Sequence, residues 1–152
     1  MRRTFGSIVY TGGTFDLFHQ GHVELLKSCR SLAGRDGKVV VALNTDSFVM
    51  AYKHIIPTHG YESRKAILEA CQYVDLVVCN TGGADSRPTI EVVEPDIIAI
   101  GADWSPQNGK DYMAQMQFTQ EWLIERHIEL QFIPLLTGHS STNTRRKLAA
   151  VP

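Results

Sequence analysis

Two histidines three positions apart, His19 and His22, stand behind a glycine pair in the stretch GGTFDLFHQGH, Gly12 to His22. Glycines at 12 and 13 permit a sharp backbone turn and let an anion approach exposed amides closely. Residues three apart share one helical face, so both imidazoles can point from a helix start towards one bound group. The free amides and dipole of such a helix end favour negative charge. Two imidazole N–H donors placed there suit the extra charge that a phosphate gains in a transition state. No Ser or Cys lies nearby in a triad-like pattern, which points to direct transfer rather than a covalent intermediate. A packed or solvated histidine pair is the plainer reading of the same residues. Zinc would need further ligands, and His54, His59, His127 and His139 show no metal-ligand spacing, so no protein metal site is expected. A dinucleotide fingerprint would want GxGxxG, which TGGTFDL lacks.

Near the other end, GHSSTNTRR (Gly138 to Arg146) sets Ser140, Ser141 and Thr142 at a helix start, with Arg145 and Arg146 one turn later. Hydroxyls, amides and guanidinium groups in that order form a grip for phosphates. A Ser/Thr cap with solvated arginines is the alternative.

These residues need elements to hold them. Ser7–Thr11 (SIVYT), Lys38–Leu43 (KVVVAL), Val74–Val78, Ile97–Ile100 and Ile128–Ile133 are apolar or β-branched runs that predict five strands. Helical spacing predicts helices over His19–Ala33, Tyr61–Ala70, Thr89–Val93, Asp111–His127 and Thr142–Ala150, with Thr81–Ser86 a loop. Strands alternating with helices predict an α/β protein: a Rossmann-like open parallel sheet of about five strands, helices on both faces, in one domain over 1–152. In such sheets ligands bind beyond the carboxyl ends of the strands. Four polar clusters fall there: Gly12–His22, Lys53–Arg64, Gly101–Trp104 and Gly138–Arg146.

The 152-residue chain has a net charge of -1, 43% hydrophobic and 20% charged residues. That balance provides no global field for nucleic acid or membranes, so an anion site must be local. No apolar run approaches a membrane span, and MRRTFGSIVYTGGTF does not read as a secretion signal. Three cysteines without a CxxC pair suit reduced thiols and a cytoplasmic location.

GGTFDLFHQGH resembles the GTFDxxHxGH signature of the nucleotidyltransferase superfamily, and its Leu17–Phe18 pair is similar to the cytidylyltransferase branch that acts on phosphorylated alcohols. GHSSTNTRR resembles the motif that opens that family's last helix, Lys53 and YESR (Tyr61–Arg64) resemble its middle segments, and GADW resembles its GxDW. The resemblance spans roughly residues 8–148. It implies an enzyme that passes CMP from CTP to a small phosphorylated alcohol of the glycerol 3-phosphate kind, releasing pyrophosphate. By that likeness His19, His22, Lys53 and Arg145 are catalytic. Gly13, Thr14, Phe15, Gly21, Asp103, Trp104, Ser140, Ser141 and Thr142 hold the nucleotide, and Asp16 and Arg64 serve the acceptor. Arg87 is expected as an acceptor-phosphate anchor from its loop near the fourth strand alone. Asp16 has the alternative task of orienting the histidine loop. Lys53 as a loop lysine, Arg64 as a solvated helix charge and Trp104 as rim packing are the alternatives read from the residues. Magnesium is implied on the triphosphate, and a homodimer by the small family members. Gln72 in QYVD, Leu135, Leu136 and His139 depart from the family pattern. An adenylyltransferase acting on a sugar phosphate or a cofactor precursor, and a non-catalytic nucleotide-binding protein, are the competing readings.

Overall fold

The computed structural model describes residues 6–105, 109–134 and 141–150, without the side chains of 141–144. Within β1 (Ile8–Gly13) consecutive buried residues serve opposite faces. Val9 joins an apolar cluster with Leu26, Cys29 and Leu68, and Tyr10 joins another with Ile90, Ile98 and Leu123. β2 (Lys38–Leu43) sends Val39, Val41 and Leu43 to the first cluster and Ala42 to the second. β4 (Ile97–Gly101) repeats the alternation, with Ala99 on one side and Ile98 and Ile100 on the other. Strands apolar on both faces must be covered on both, as parallel sheets are.

Helices provide the cover. α1 (Gln20–Ala33) and α3 (Tyr61–Ala70) lie over the first cluster, and α4 (Arg87–Val93), α5 (Tyr112–Met116) and α6 (Gln120–Glu125) over the second. With β3 (Leu76–Cys79) and β5 (Glu129–Ile133) the strands form one sheet, ordered β3-β2-β1-β4-β5, every pair parallel. The predicted α/β architecture with helices on both faces is therefore the observed one. Among the described residues no helix is long and apolar enough to cross a membrane.

Two elements differ from the sequence reading. The segment predicted as one helix over 111–127 is two, because Gln117 adopts a left-handed backbone (φ 62°) and the Thr119 hydroxyl caps α6 by accepting from the Trp122 amide. Tyr112, Phe118 and Leu123 still reach one cluster, so the apolar spacing was real but served a broken helix. α2 (Asp46–Lys53) was not foreseen: it buries only Val49, too little to leave an apolar stripe, and rests on the Thr45 cap. Phe48, Val49, Tyr52 and Lys53 of α2 line a cleft at the edge of the sheet, and Asp46 pairs with Arg64. α7 (Ser141–Ala149) follows in the described chain.

Candidate active site

From β1 the chain runs one way to β2 and β3, then crosses back to place β4 on the other side of β1. That reversal leaves a crevice at the carboxyl ends of β1 and β4. Pairing between these strands ends at Tyr10↔Ile98, whereas β1 and β2 stay paired to Gly13↔Leu43. A cleft of about 360 Å³ lies there, and all four polar clusters reach it: His19 and His22, Lys53, Asp103 with Trp104, and Arg145. A second hollow of about 550 Å³ between α5, α6 and β5 carries none of the residues nominated from the sequence.

The loop between β1 and α1 is tightly wound. Phe15 and Leu17 have left-handed backbones (φ 51° and 50°), uncommon for such side chains and characteristic of constrained sites. At Gly13 the constraint is contact rather than torsion, since a Cβ there would meet the Phe15 ring at 3.0 Å, closer than ordinary packing. α1 starts one residue later than expected, which makes His19 its N-cap. His19 Nδ1 accepts from the Gly21 amide (3.0 Å), and His22 Nδ1 accepts from the His19 amide (3.2 Å). A nitrogen that accepts carries no proton, so each neutral ring bears its hydrogen on Nε2. The rings stack with centroids 3.8 Å apart, and Phe15 and Phe18 pack on His22. Burial above all pushes the His22 pKa down to about 3, and any positive charge on His19 would oppose its protonation further. The pair is thus a source of neutral N–H donors beside the cleft.

Asp16 is buried, and its carboxylate is occupied by the amides of Thr58 (2.7 Å) and His59 (2.8 Å) and by Arg145. Burial alone would raise its pKa, but those two amides and Arg145 outweigh it and hold it below the usual range. Of its two expected tasks, the geometry matches the orienting one: Asp16 ties the histidine loop to the loop before α3 and to α7. Arg64 is neither the solvated charge nor the acceptor ligand expected. It is fully buried, donating to the carbonyls of Thr14 (2.8 Å), Asn44 (2.9 Å) and His59 (2.9 Å) and pairing with Asp46 (2.6 Å). The guanidinium fork satisfies the carbonyls that leave β1 and β2 and one in the loop before α3, which is why a charge on α3 is drawn inward. Arg87, expected to anchor the acceptor, makes a forked pair with Asp85 (2.9 Å for both contacts) and does not line the cleft.

Lys53 ends α2 at the cleft, where shielding from water, then the nearby charge of Arg145, lower its pKa. Lys53 and Arg145 lie close enough to repel each other, and since Arg145 is already paired with Asp16, an anion entering the cleft would meet Lys53 directly. Asp103 and Trp104 sit in a short turn after β4, with Trp104 edge-on to Tyr112 (6.1 Å) and beneath Lys110 (4.6 Å). Gly13, Thr14, Phe15 and Gly21 also line the cleft. Ser141 and Thr142 form the first turn of α7, and Ser140 lies outside the described residues, as do Leu135, Leu136 and His139. The sequence reading did not single out Asn44 and Asn80, which line the cleft as the first residues beyond β2 and β3. A polar amide directly after an apolar strand was the available signal. Among the described residues no group of three or more His, Cys, Asp or Glu side chains is arranged for a metal ion.

A switch-point cleft with a histidine pair at a helix start defines a nucleotidyltransferase-like site. Residues 10–147 match the Cytidylyltransferase-like family, and the chain belongs to that family. Its relatives include a glycerol-3-phosphate cytidylyltransferase from Staphylococcus aureus, 40% identical over 63% of this chain and 70% of the relative. An FAD synthase from Korarchaeum cryptofilum is 33% identical over 94% of this chain and 92% of the relative. Among solved structures, a lipopolysaccharide core biosynthesis protein from Thermoplasma volcanium superposes with a TM-score of 0.63 at 25% identity, over 86% of this chain and 98% of that one. The protein is a nucleotidyltransferase of cytidylyltransferase type.

Proposed function

We propose that the protein transfers CMP from CTP to the phosphate of a small phosphorylated alcohol. A phosphate oxygen of the acceptor attacks the α-phosphorus in line, the bond to the bridging oxygen of the β-phosphate breaks, and pyrophosphate leaves. The observation that carries this reading is the stacked neutral histidine pair facing the same cleft as Lys53 and Arg145. Two Nε2–H groups donate to the oxygens on which charge gathers, and neutral donors do so without a proton transfer. Lys53 offsets the repulsion between two approaching anions; bound phosphate restores the charge that its surroundings disfavour. Arg145, anchored by Asp16, meets the leaving pyrophosphate, with Ser140, Ser141 and Thr142 as its neighbours in sequence. The amides of Thr14 and Phe15 hold the α-phosphate, and Asp103 and Trp104 face the nucleoside.

Magnesium, carried on the triphosphate, neutralises phosphate charge. The donor set fits an ion held mainly by phosphate and water, because the Asp16 carboxylate is taken by amides and Arg145. Among the described residues Asp103 is the other carboxylate that lines the cleft. The likeness to the staphylococcal protein supports glycerol 3-phosphate as the first acceptor to try. Likeness to an FAD synthase, whose named product contains adenine, supports the second reading, adenylyl transfer to a cofactor precursor.

Pyrophosphate release, measured with CTP or ATP against a panel of phosphorylated alcohols, tests the choice. Release with CTP and glycerol 3-phosphate is expected, and His19→Ala or His22→Ala lowers turnover about 10²–10³-fold. Release with ATP alone moves the assignment to the second reading. Near-normal turnover in both histidine variants removes the pair from the mechanism.

A further inference from the structure

Thr14, Asn44 and Asn80 are the first residues beyond β1, β2 and β3, and Gly13, Leu43 and Cys79 before them are register partners. The amide of Asn44 donates to the Gly13 carbonyl and that of Asn80 to the Leu43 carbonyl, both at 2.9 Å, which keeps the three positions in step. Their side chains form a row across the edge of the sheet. Asn80 Nδ2 donates to the Gly83 carbonyl (2.9 Å) and to Asn44 Oδ1 (2.9 Å), and Asn44 Nδ2 donates to Thr14 Oγ1 (3.2 Å).

The direction of this row follows from its far end. A carbonyl oxygen can only accept, so the side of Asn80 that faces Gly83 must be its NH2. Reversing Asn80 would set its oxygen against the Gly83 carbonyl oxygen at that range. With Asn80 fixed, Asn44 must present Oδ1 to it and Nδ2 to Thr14. The Thr89 hydroxyl, 3.5 Å from Asn80 Oδ1, agrees with that orientation. Thr14 Oγ1 therefore accepts from Asn44, and its single hydrogen is turned away from the row. Arg64 holds the Thr14 and Asn44 carbonyls with one nitrogen, so the backbones beneath both side chains are fixed relative to each other.

We propose that Asn80 and Asn44 are positioning residues that fix the Thr14 hydroxyl, so that its hydrogen serves as a phosphate donor beside His19 and His22. The proposal deepens the reading above and rests on the cleft binding a nucleotide through its phosphates. It adds a side-chain donor to those of the histidines, aimed by a backbone carbonyl two strands away. Preorganised donors act without reorientation when charge develops.

The test is a double-mutant cycle read by calorimetric titration of CTP and of cytidine, with magnesium, against wild type, Thr14→Val, Asn44→Leu and the double variant. Thr14→Val is expected to weaken CTP about tenfold or more, and Asn44→Leu about three- to tenfold. Cytidine affinity stays unchanged in both, and Thr14→Ser restores most of the CTP affinity. Asn44→Leu adds nothing in the Thr14→Val background. Asn80→Leu repeats the behaviour of Asn44→Leu; Asn44 is only half-buried, so its variant is the one expected to fold if Asn80→Leu does not. Losses that add in the double variant, or that are equal for cytidine and CTP, overturn the proposal. Wild-type protein that binds CTP no more tightly than cytidine overturns the phosphate reading itself, a different outcome from additivity.

Discussion

Each histidine of the pair accepts at Nδ1 from a backbone amide in the first turn of α1, and the rings lie 3.8 Å apart. Protonating either Nδ1 would break a cap, so both rings are neutral in this geometry, and burial adds to the case for His22. The consequence for pH can be worked through with the sign. His22 titrates near 6.5 when unfolded and is pushed down to about 3 in the folded protein. Between those values the unfolded chain binds the extra proton, so His22 makes the fold less stable as pH falls below about 6.5. The slope approaches about 1.4 kcal/mol per pH unit, the value for one proton. Asp16, lowered from 3.8, acts in the same direction but only in more acid solution. Unfolding free energies at pH 7 and pH 5 are expected to fall further in wild type than in His22→Asn, by about 2 kcal/mol. Equal losses would mean that His22 is not held neutral.

α3 shows how an element can mislead when read alone. Its residues run YESRKAILEA, and Arg64 beside Lys65 reads as part of a charged outer face. In the fold that position points at the carbonyls leaving β1 and β2, and a guanidinium is the side chain that can donate to both of them and to the His59 carbonyl and still pair with Asp46. Arg64→Met leaves those carbonyls and Asp46 without their donor and is expected to cost about 3–5 kcal/mol in urea unfolding. Arg64→Lys recovers little, because an ammonium lacks the planar fork. A variant within about 0.5 kcal/mol of wild type would return Arg64 to the surface role. α1, by contrast, was legible nearly to the residue, since its apolar face packs on the sheet with ordinary helical spacing.

Over the whole molecule, the cleft joins residues far apart in the chain. Asp16 in the first loop meets Arg145 in the last helix, and Lys53 and Trp104 arrive from two crossovers between them. A nucleotide bound there bridges both halves of the sheet and stabilises the fold by mass action, by about 2.7 kcal/mol at a hundred times its dissociation constant. Among CTP, ATP, GTP and UTP with magnesium, CTP is expected to give the largest rise in melting temperature. A larger rise with ATP would support the adenylyl reading.

The order of strands and helices, and the convergence of the four polar clusters at one rim, were legible in the sequence. Apolar runs and glycine turns are local properties, and a parallel sheet sends every strand's carboxyl end to the same side. The division of labour within those clusters was not. Whether Arg64 faces water or carbonyls, whether Arg87 reaches the cleft or stays with Asp85, and how Asn80 and Asn44 reach Thr14 all depend on groups distant in the chain. A charged or amide side chain has nearly the same local signature in either setting. Only the tertiary structure, by placing acceptors and donors around it, decides what it holds.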